Sequence, residues 1–126
     1  MVHLLVVDDE VDIPILFKQR FRKEIKNGQW HFDFVFSGAE ALEYFKNHDD
    51  QVQLILSDIN MPGMNGLEML RNLRKNQSGQ RPVVIMVTAY GDEQNYQKAM
   101  EYGADAFMTK PLDFEELKKK LASHLQ

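Results

Sequence analysis

Five short apolar runs recur along the chain: His3–Val7, Phe32–Phe36, Leu54–Leu56, Val83–Val87 and Ala106–Met108. Each is the length of a buried strand and too short for a buried helix. Between them, apolar residues return at helical spacing. Ile13, Phe17, Phe21 and Ile25 repeat every four residues, and Leu42 with Phe45, Leu67 with Leu70 and Leu117 with Leu121 stand three or four apart, again on one helix face. Short strands alternating with amphipathic helices read as βα units. Parallel strands of that kind are apolar on both faces and need helices on both sides. Local punctuation agrees. Ser37 with Glu40 three residues on is a capping box, Gly103 stands where a helix must stop, and Asp113 precedes a first turn holding Glu115 and Glu116. At 126 residues without linker, repeat or low-complexity tract, the expectation is one α/β domain over 1–126, a five-stranded (βα)5 sheet.

Composition narrows the chemistry. The chain has no Cys, which removes disulfides, thiol nucleophiles and thiolate-bound metals. No apolar run approaches the roughly 20 residues of a membrane-spanning helix, and Met1-Val2-His3 lacks the cationic start of a secretory signal. A cytoplasmic protein without membrane association is expected. With 15 Lys and Arg against 19 Asp and Glu, the net charge of −4 gives nucleic-acid binding no general support. The basic residues Lys18, Arg20, Arg22, Lys23 and Lys26, and the run Lys118-Lys119-Lys120, read as solvated helix faces. Trp30 and the four His are scattered without metal-ligand spacing and receive no chemistry, and Met61, Met64, Met86 and Met108 are assigned to packing.

In open parallel sheets, ligands bind at the carboxyl ends of the strands. Here those ends carry Asp8-Asp9-Glu10, Ser57-Asp58, Thr88-Ala89 and Thr109-Lys110-Pro111. The topology brings Asp8, Asp9 and Asp58 together. At about 4 Å and an effective dielectric near 20, each pair of like charges costs roughly 4 kcal/mol before screening. Such a cluster needs protons, a cation, or both. Oxygen-only ligands with an open position suit Mg2+, with Mn2+ as a substitute ion. Lys110 adds a fixed positive charge and Thr88 a hydroxyl donor. The constellation reads as a phosphoryl-transfer site with Asp58 as nucleophile, and with Mg2+, Lys110 and Thr88 neutralising and orienting the phosphoryl oxygens.

The segments Leu4-Leu5-Val6-Val7-Asp8-Asp9-Glu10, Asp58-Ile59-Asn60-Met61-Pro62-Gly63-Met64-Asn65-Gly66, Val87-Thr88-Ala89 and Gly103-Ala104-Asp105-Ala106-Phe107-Met108-Thr109-Lys110-Pro111 occur in this order. Together they resemble the receiver domain of two-component response regulators, of the chemotaxis-regulator type, over essentially the whole chain. The resemblance implies a flavodoxin-like fold with strand order 2-1-3-4-5. It implies that Asp58 accepts a phosphoryl group from a sensor histidine kinase or a phosphotransfer protein. Asp9 then ligates Mg2+ directly, Asp8 acts through a water, and the backbone carbonyl of Asn60 completes the protein ligands. It also implies a switch in which the Thr88 hydroxyl moves toward the phosphoryl group and Phe107 turns inward, and a cis bond at Lys110-Pro111. Phe107 lacks a hydroxyl, so its two positions must be decided by packing. The exposed edge of the first helix docks the kinase in this family, which makes Ile13 and Leu16 the candidates. The face of the fourth helix, fifth strand and fifth helix is where relatives engage partners or dimerise, so a phosphorylation-dependent homodimer is an expected state.

Two neighbouring readings differ at single residues. Haloacid-dehalogenase-type phosphatases place a second Asp two residues after the nucleophile as general acid and base, whereas this chain has Asn60 there. An aspartyl phosphate should therefore persist, as in a switch and not as in a turnover enzyme. Tyr90 is a candidate shield against the attacking water. A flavodoxin-like cofactor module would need Gly, Ser or Thr after its first strand to cradle phosphate, where this chain has three carboxylates. A degenerate receiver, acting as a phosphate-independent interaction module, remains the alternative. The last helical segment ends near Leu125, which leaves two possibilities open. The chain works alone through its docking face on an unspecified downstream effector, or it belongs to a longer protein.

Overall fold

The computed structural model describes residues 1–48, 51–76, 81–89 and 93–125. Its strands are β1 (Val2–Val7), β2 (Trp30–Val35), β3 (Leu54–Asp58), β4 (Val83–Thr88) and β5 (Ala106–Thr109). Its helices are α1 (Ile13–Arg20), α2 (Arg22–Lys26), α3 (Gly38–His48), α4 (Gly66–Asn76), α5 (Glu93–Glu101) and α6 (Phe114–His124). All strand pairs are parallel and the sheet order is β2-β1-β3-β4-β5, the order the resemblance implies. None of the described helices is long and apolar enough to cross a membrane.

Strand alternation divides the core in two. Leu5, Val7, Ile55, Val84 and Met86 face α3, α4 and α5, where they meet Ala41, Phe45, Leu67, Leu70 and Ala99. Their neighbours Leu4, Val6, Leu54, Leu56, Ile85 and Val87 face the other layer, with Phe17, Phe21, Leu117 and Leu121. Burial on both faces is the reason β3 and β4 show continuous apolar runs, whereas edge strand β2 (WHFDFV) alternates.

The first helical segment departs from its expected form. The four-residue repeat from Ile13 to Ile25 predicts one helix, but the backbone opens at Phe21 (φ −111°, ψ 22°) and α2 continues as a separate short piece. Phe21 is wholly buried, with its ring 5.1 to 5.9 Å from those of Phe17, Trp30, Phe32 and Phe114. Packing of that ring takes precedence over helical continuity, and Ile25 beyond it is partly exposed. Among the described residues the sheet therefore carries six helices, one more than the repeat count implies. The caps hold. Ser37 Oγ accepts from the Glu40 N–H at 3.1 Å, while Glu40 Oε2 reaches back to the Phe36 N–H at 3.2 Å. Asp113 caps α6 by accepting from the Glu115 and Glu116 N–H groups. Gly103 takes the left-handed conformation (φ 101°) just past α5.

One glycine decides how α4 meets β3. The Gly66 N–H donates to Ile59 O at 2.8 Å, and a Cβ at position 66 would stand 2.1 Å from the Asp58 carbonyl oxygen. Only a residue without a side chain permits this approach of backbone to backbone. Gly66→Ala is expected to lower unfolding stability by roughly 2 kcal/mol through overpacking, read as a lower midpoint in urea denaturation.

Candidate functional site

The ends of β1, β3, β4 and β5 converge on one edge of the sheet, and their side chains meet there. Asp58 ends β3 and Asp8 follows β1; both are buried. Lys110, just after β5, sends its ammonium between them. Nζ donates to Asp58 Oδ2 at 3.1 Å and to Asp8 Oδ2 at 3.4 Å, and lies 3.6 Å from Glu10 Oε1. Asp9 is exposed, yet it, Asp8 and Asp58 each offer a carboxylate oxygen within 4.8 Å of the others. Backbone amides orient the two buried acids: the Glu10 N–H donates to Asp8 Oδ1 at 3.0 Å and the Asn60 N–H to Asp58 Oδ1 at 3.2 Å. Thr88, at the end of β4, is fully buried, and its Oγ1 accepts from Asn60 Nδ2 at 3.1 Å. The Lys110–Pro111 peptide bond is cis.

Electrostatics follow from this packing. Burial is the largest influence on Asp8 and pushes its carboxyl above the ordinary range, with the nearby Asp58 charge adding to it; the Glu10 amide and Lys110 oppose the rise without cancelling it. Burial alone would lower the Lys110 ammonium, but the Asp58 hydrogen bond and the charges of Asp8, Asp58 and Glu10 outweigh it, so Lys110 is held above the ordinary lysine range. The lysine is locked in its charged form, while the acid cluster carries more negative charge than one ammonium balances. Three convergent carboxylates, all oxygen and with one of them open to solvent, fit a hard divalent cation.

The residues singled out at the strand ends thus stand together: Asp8, Asp9, Asp58, Asn60, Thr88 and Lys110. Phe107, on β5, is half-buried and meets Tyr96 of α5 edge-on, with ring centroids 5.5 Å apart. Tyr90 lies outside the described residues. The docking candidates divide. Ile13 is packed into the core, so it cannot stand on an exposed edge as expected; its helical phase matches that of Phe17, which turns it inward. It forms the floor of a groove of about 600 Å³ that Leu16, Pro111, Leu112 and Phe114 also line. The exposed apolar residues of this region are Val11 and Ile15. Two contributors escape sequence reasoning: Glu10, whose amide and carboxylate both serve the cluster, and Tyr96, whose ring covers Phe107. Glu10 was visible in the acidic run; nothing in the sequence marks Tyr96.

A family model described as the response regulator receiver domain matches residues 4–122. Response regulator RppA of Synechocystis sp. is 32% identical over 120 residues, covering 95% of this chain and 49% of that protein. Response regulator ArlR of Staphylococcus saprophyticus is 32% identical over 126 residues, covering 100% of this chain and 53% of that protein. The chain spans about half the length of these curated relatives. Among solved structures, a chain of the CheX–CheY–BeF3–Mg2+ complex from Borrelia burgdorferi superimposes with a TM-score of 0.85 at 30% identity, over 99% of this chain and 90% of that one. Response regulator TrrA of Thermotoga maritima, in complex with Mg2+–BeF, gives a TM-score of 0.79 at 32% identity, over 98% and 99%.

The raised Asp8 carboxyl has a stability consequence of definite sign. Folded protein holds this proton more tightly than the unfolded chain does, so the group favours folding at acidic pH and that contribution is lost as pH rises through its folded pKa. At neutral pH without divalent ions, the ionised group opposes folding. Asp8→Asn keeps an acceptor for the Glu10 amide and removes the charge. It is expected to raise the thermal midpoint in EDTA at neutral pH, with the difference shrinking in acidic buffer, as followed by circular dichroism. Added Mg2+ should raise the wild-type midpoint more than that of the variant.

Proposed function

The chain belongs to the response regulator receiver domain family, and on that premise we propose that residues 1–126 form one phosphoacceptor domain in which Asp58 takes a phosphoryl group from a histidine of a sensor kinase or phosphotransfer protein. The observation that carries this reading is the buried Asp58 carboxylate 3.1 Å from Lys110 Nζ, with Asp8 and Asp9 oxygens within 4.8 Å. Mg2+, or Mn2+ in its place, would be held by Asp8, Asp9, Asp58 and the Asn60 carbonyl, and when bound supplies charge neutralisation for the phosphoryl oxygens.

In the transfer, one Asp58 oxygen forms a bond to phosphorus as the phosphorus–nitrogen bond to the donor imidazole breaks, the electron pair leaving with that nitrogen. Asp58 attacks as the carboxylate and needs no base. The Lys110 ammonium, already bonded to Asp58, offsets charge on the incoming group. Thr88 Oγ1, now accepting from Asn60, becomes the donor to a phosphoryl oxygen. Asn60 gives hydrolysis of the resulting acyl phosphate no general base, since its amide takes no proton from water. The domain then acts as a switch and not as an enzyme turning over external substrates. A complete acid, hydroxyl and ammonium set supports phosphate-dependent action over a degenerate, phosphate-independent receiver.

Thr88 and Phe107 supply the readout. Movement of the Thr88 hydroxyl frees space beside β5, and Phe107 exchanges its edge-on contact with Tyr96 for a more inward position. That change alters the α5–β5–α6 face, the surface for an unspecified downstream effector or for a homodimer formed on phosphorylation. The groove over Ile13, Leu16, Pro111 and Phe114 is the kinase docking surface. A cytoplasmic location, with no direct contact to nucleic acid or membrane by this domain, fits a kinase-fed switch.

Incubation with acetyl phosphate and Mg2+ is expected to add one phosphoryl group to the intact protein by mass spectrometry, and Asp58→Asn to abolish the addition; undiminished labelling of the variant removes Asp58 from its role. Asn60→Asp, which restores a carboxylate two residues after the acceptor, is expected to shorten the lifetime of the phosphorylated form in the same assay.

A further inference from the structure

Four side chains outside the phosphoacceptor site converge at the other end of β1. In the parallel register of β1 and β2, His3 stands opposite His31 and Leu5 opposite Asp33. The period of two along a strand puts His3, His31 and Asp33 on one face of the sheet. Asp33 bridges the two imidazoles with separate oxygens: Oδ2 is 2.7 Å from His3 Nε2 and Oδ1 is 3.2 Å from His31 Nε2. The two rings meet edge-on, with centroids 4.8 Å apart. From α3, the Tyr44 hydroxyl donates to Asp33 Oδ2 and lies 3.0 Å from His3 Nε2. Tyr44 is itself held, stacked on His48 at 4.2 Å with His48 Nδ1 2.9 Å from the Tyr44 carbonyl oxygen.

We propose that His3, His31 and Asp33 form a second cation site, selective for a borderline divalent ion of the Zn2+ class, with Tyr44 positioning Asp33. One ligand atom of each residue lies within 4.8 Å of the other two. A tetrahedral zinc ion with bonds of about 2.0–2.1 Å keeps its donors about 3.4 Å apart. The His3–Asp33 and His31–Asp33 contacts of 2.7 and 3.2 Å, made to separate carboxylate oxygens, are closer than that, so an ion would enter by replacing these two hydrogen bonds, its three donors starting within 4.8 Å of one another. Side-chain exposures of 18% for His3, 35% for Asp33 and 48% for His31 leave the cluster open on one side, where water fills the fourth position. Two imidazoles and one carboxylate set the preference: imidazole nitrogen suits zinc and disfavours Mg2+, which the all-oxygen cluster at Asp8, Asp9 and Asp58 suits. The Tyr44 hydrogen bond orients a ligating carboxylate in the manner of outer-shell partners of metal sites. Asp8 lies five positions after His3, about 16 Å along the strand, so the two sites share no ligand. A bound ion would clip edge strand β2 to β1 next to α3.

Titration calorimetry with Zn2+, on the full chain in millimolar Mg2+ to occupy the all-oxygen cluster, tests the site. The wild-type chain is expected to bind one Zn2+, and His3→Gln and His31→Gln each to weaken that binding at least about tenfold. His31 lies at the half-exposed sheet edge, so its replacement leaves the core intact, and circular dichroism checks that both variants are folded. Co2+ in place of Zn2+ should give the intense visible absorption of a four-coordinate ion in the wild type and lose it in His31→Gln. Absence of saturable binding to the wild type overturns the proposal, as does unchanged affinity in folded His31→Gln or binding that Mg2+ competes away.

Discussion

Charge balance around the Lys110 ammonium is the constraint on which the site depends. Two carboxylates, Asp8 and Asp58, are buried at the end of a largely apolar sheet, and burial of an unpaired charge is costly. The lysine arrives from the far side of β4, at 3.1 and 3.4 Å, and is held in its charged form by the groups it neutralises. One positive charge against a cluster that also contains Asp9 and Glu10 leaves an electronegative cavity. That residual charge suits a divalent cation, which on binding would stabilise the fold. Stability and readiness for phosphoryl chemistry are therefore coupled through the same few atoms.

The parallel sheet makes this meeting possible. Residues separated by as many as 102 positions touch because each β strand returns in the same direction after its helix, so all the carboxyl ends share one edge. Two apolar layers hold the strands in register, and the glycine at position 66 lets α4 close against the backbone of Asp58 itself. The Asp58 carboxylate is thus fixed by close-packed main chain, by the Asn60 amide and by the Lys110 ammonium. Around this rigid frame, Phe107 is only half-buried and contacts a partly exposed Tyr96, the kind of packing that two arrangements can satisfy.

The opposite end of the sheet obeys the same geometry with different chemistry. His3 and His31 are far apart in sequence and show no ligand spacing, yet strand pairing sets them side by side. Asp33 and Tyr44 complete a polar cluster at the β2 edge of the sheet, against α3. Parallel pairing gathers side chains at both ends of its strands. At one end it collects carboxylates around an ammonium, and at the other two imidazoles around a carboxylate and a phenol.

What the amino-acid order determined by itself was the kind of elements, their sequence and the residues at the strand ends, because apolar period, capping residues and the acidic, hydroxyl and lysine positions are local properties of the chain. Asp58, Thr88 and Lys110 were legible for that reason, as were the caps at Ser37, Gly103 and Asp113. Tertiary structure alone decided the rest. The break at Phe21 follows from the ring's place among Trp30, Phe32 and Phe114, and the burial of Ile13 follows from helical phase relative to the sheet. The cover of Phe107 by Tyr96 and the junction of His3, His31, Asp33 and Tyr44 depend on contacts between elements. Such contacts are set by packing across the sheet, and no periodicity within one segment carries them.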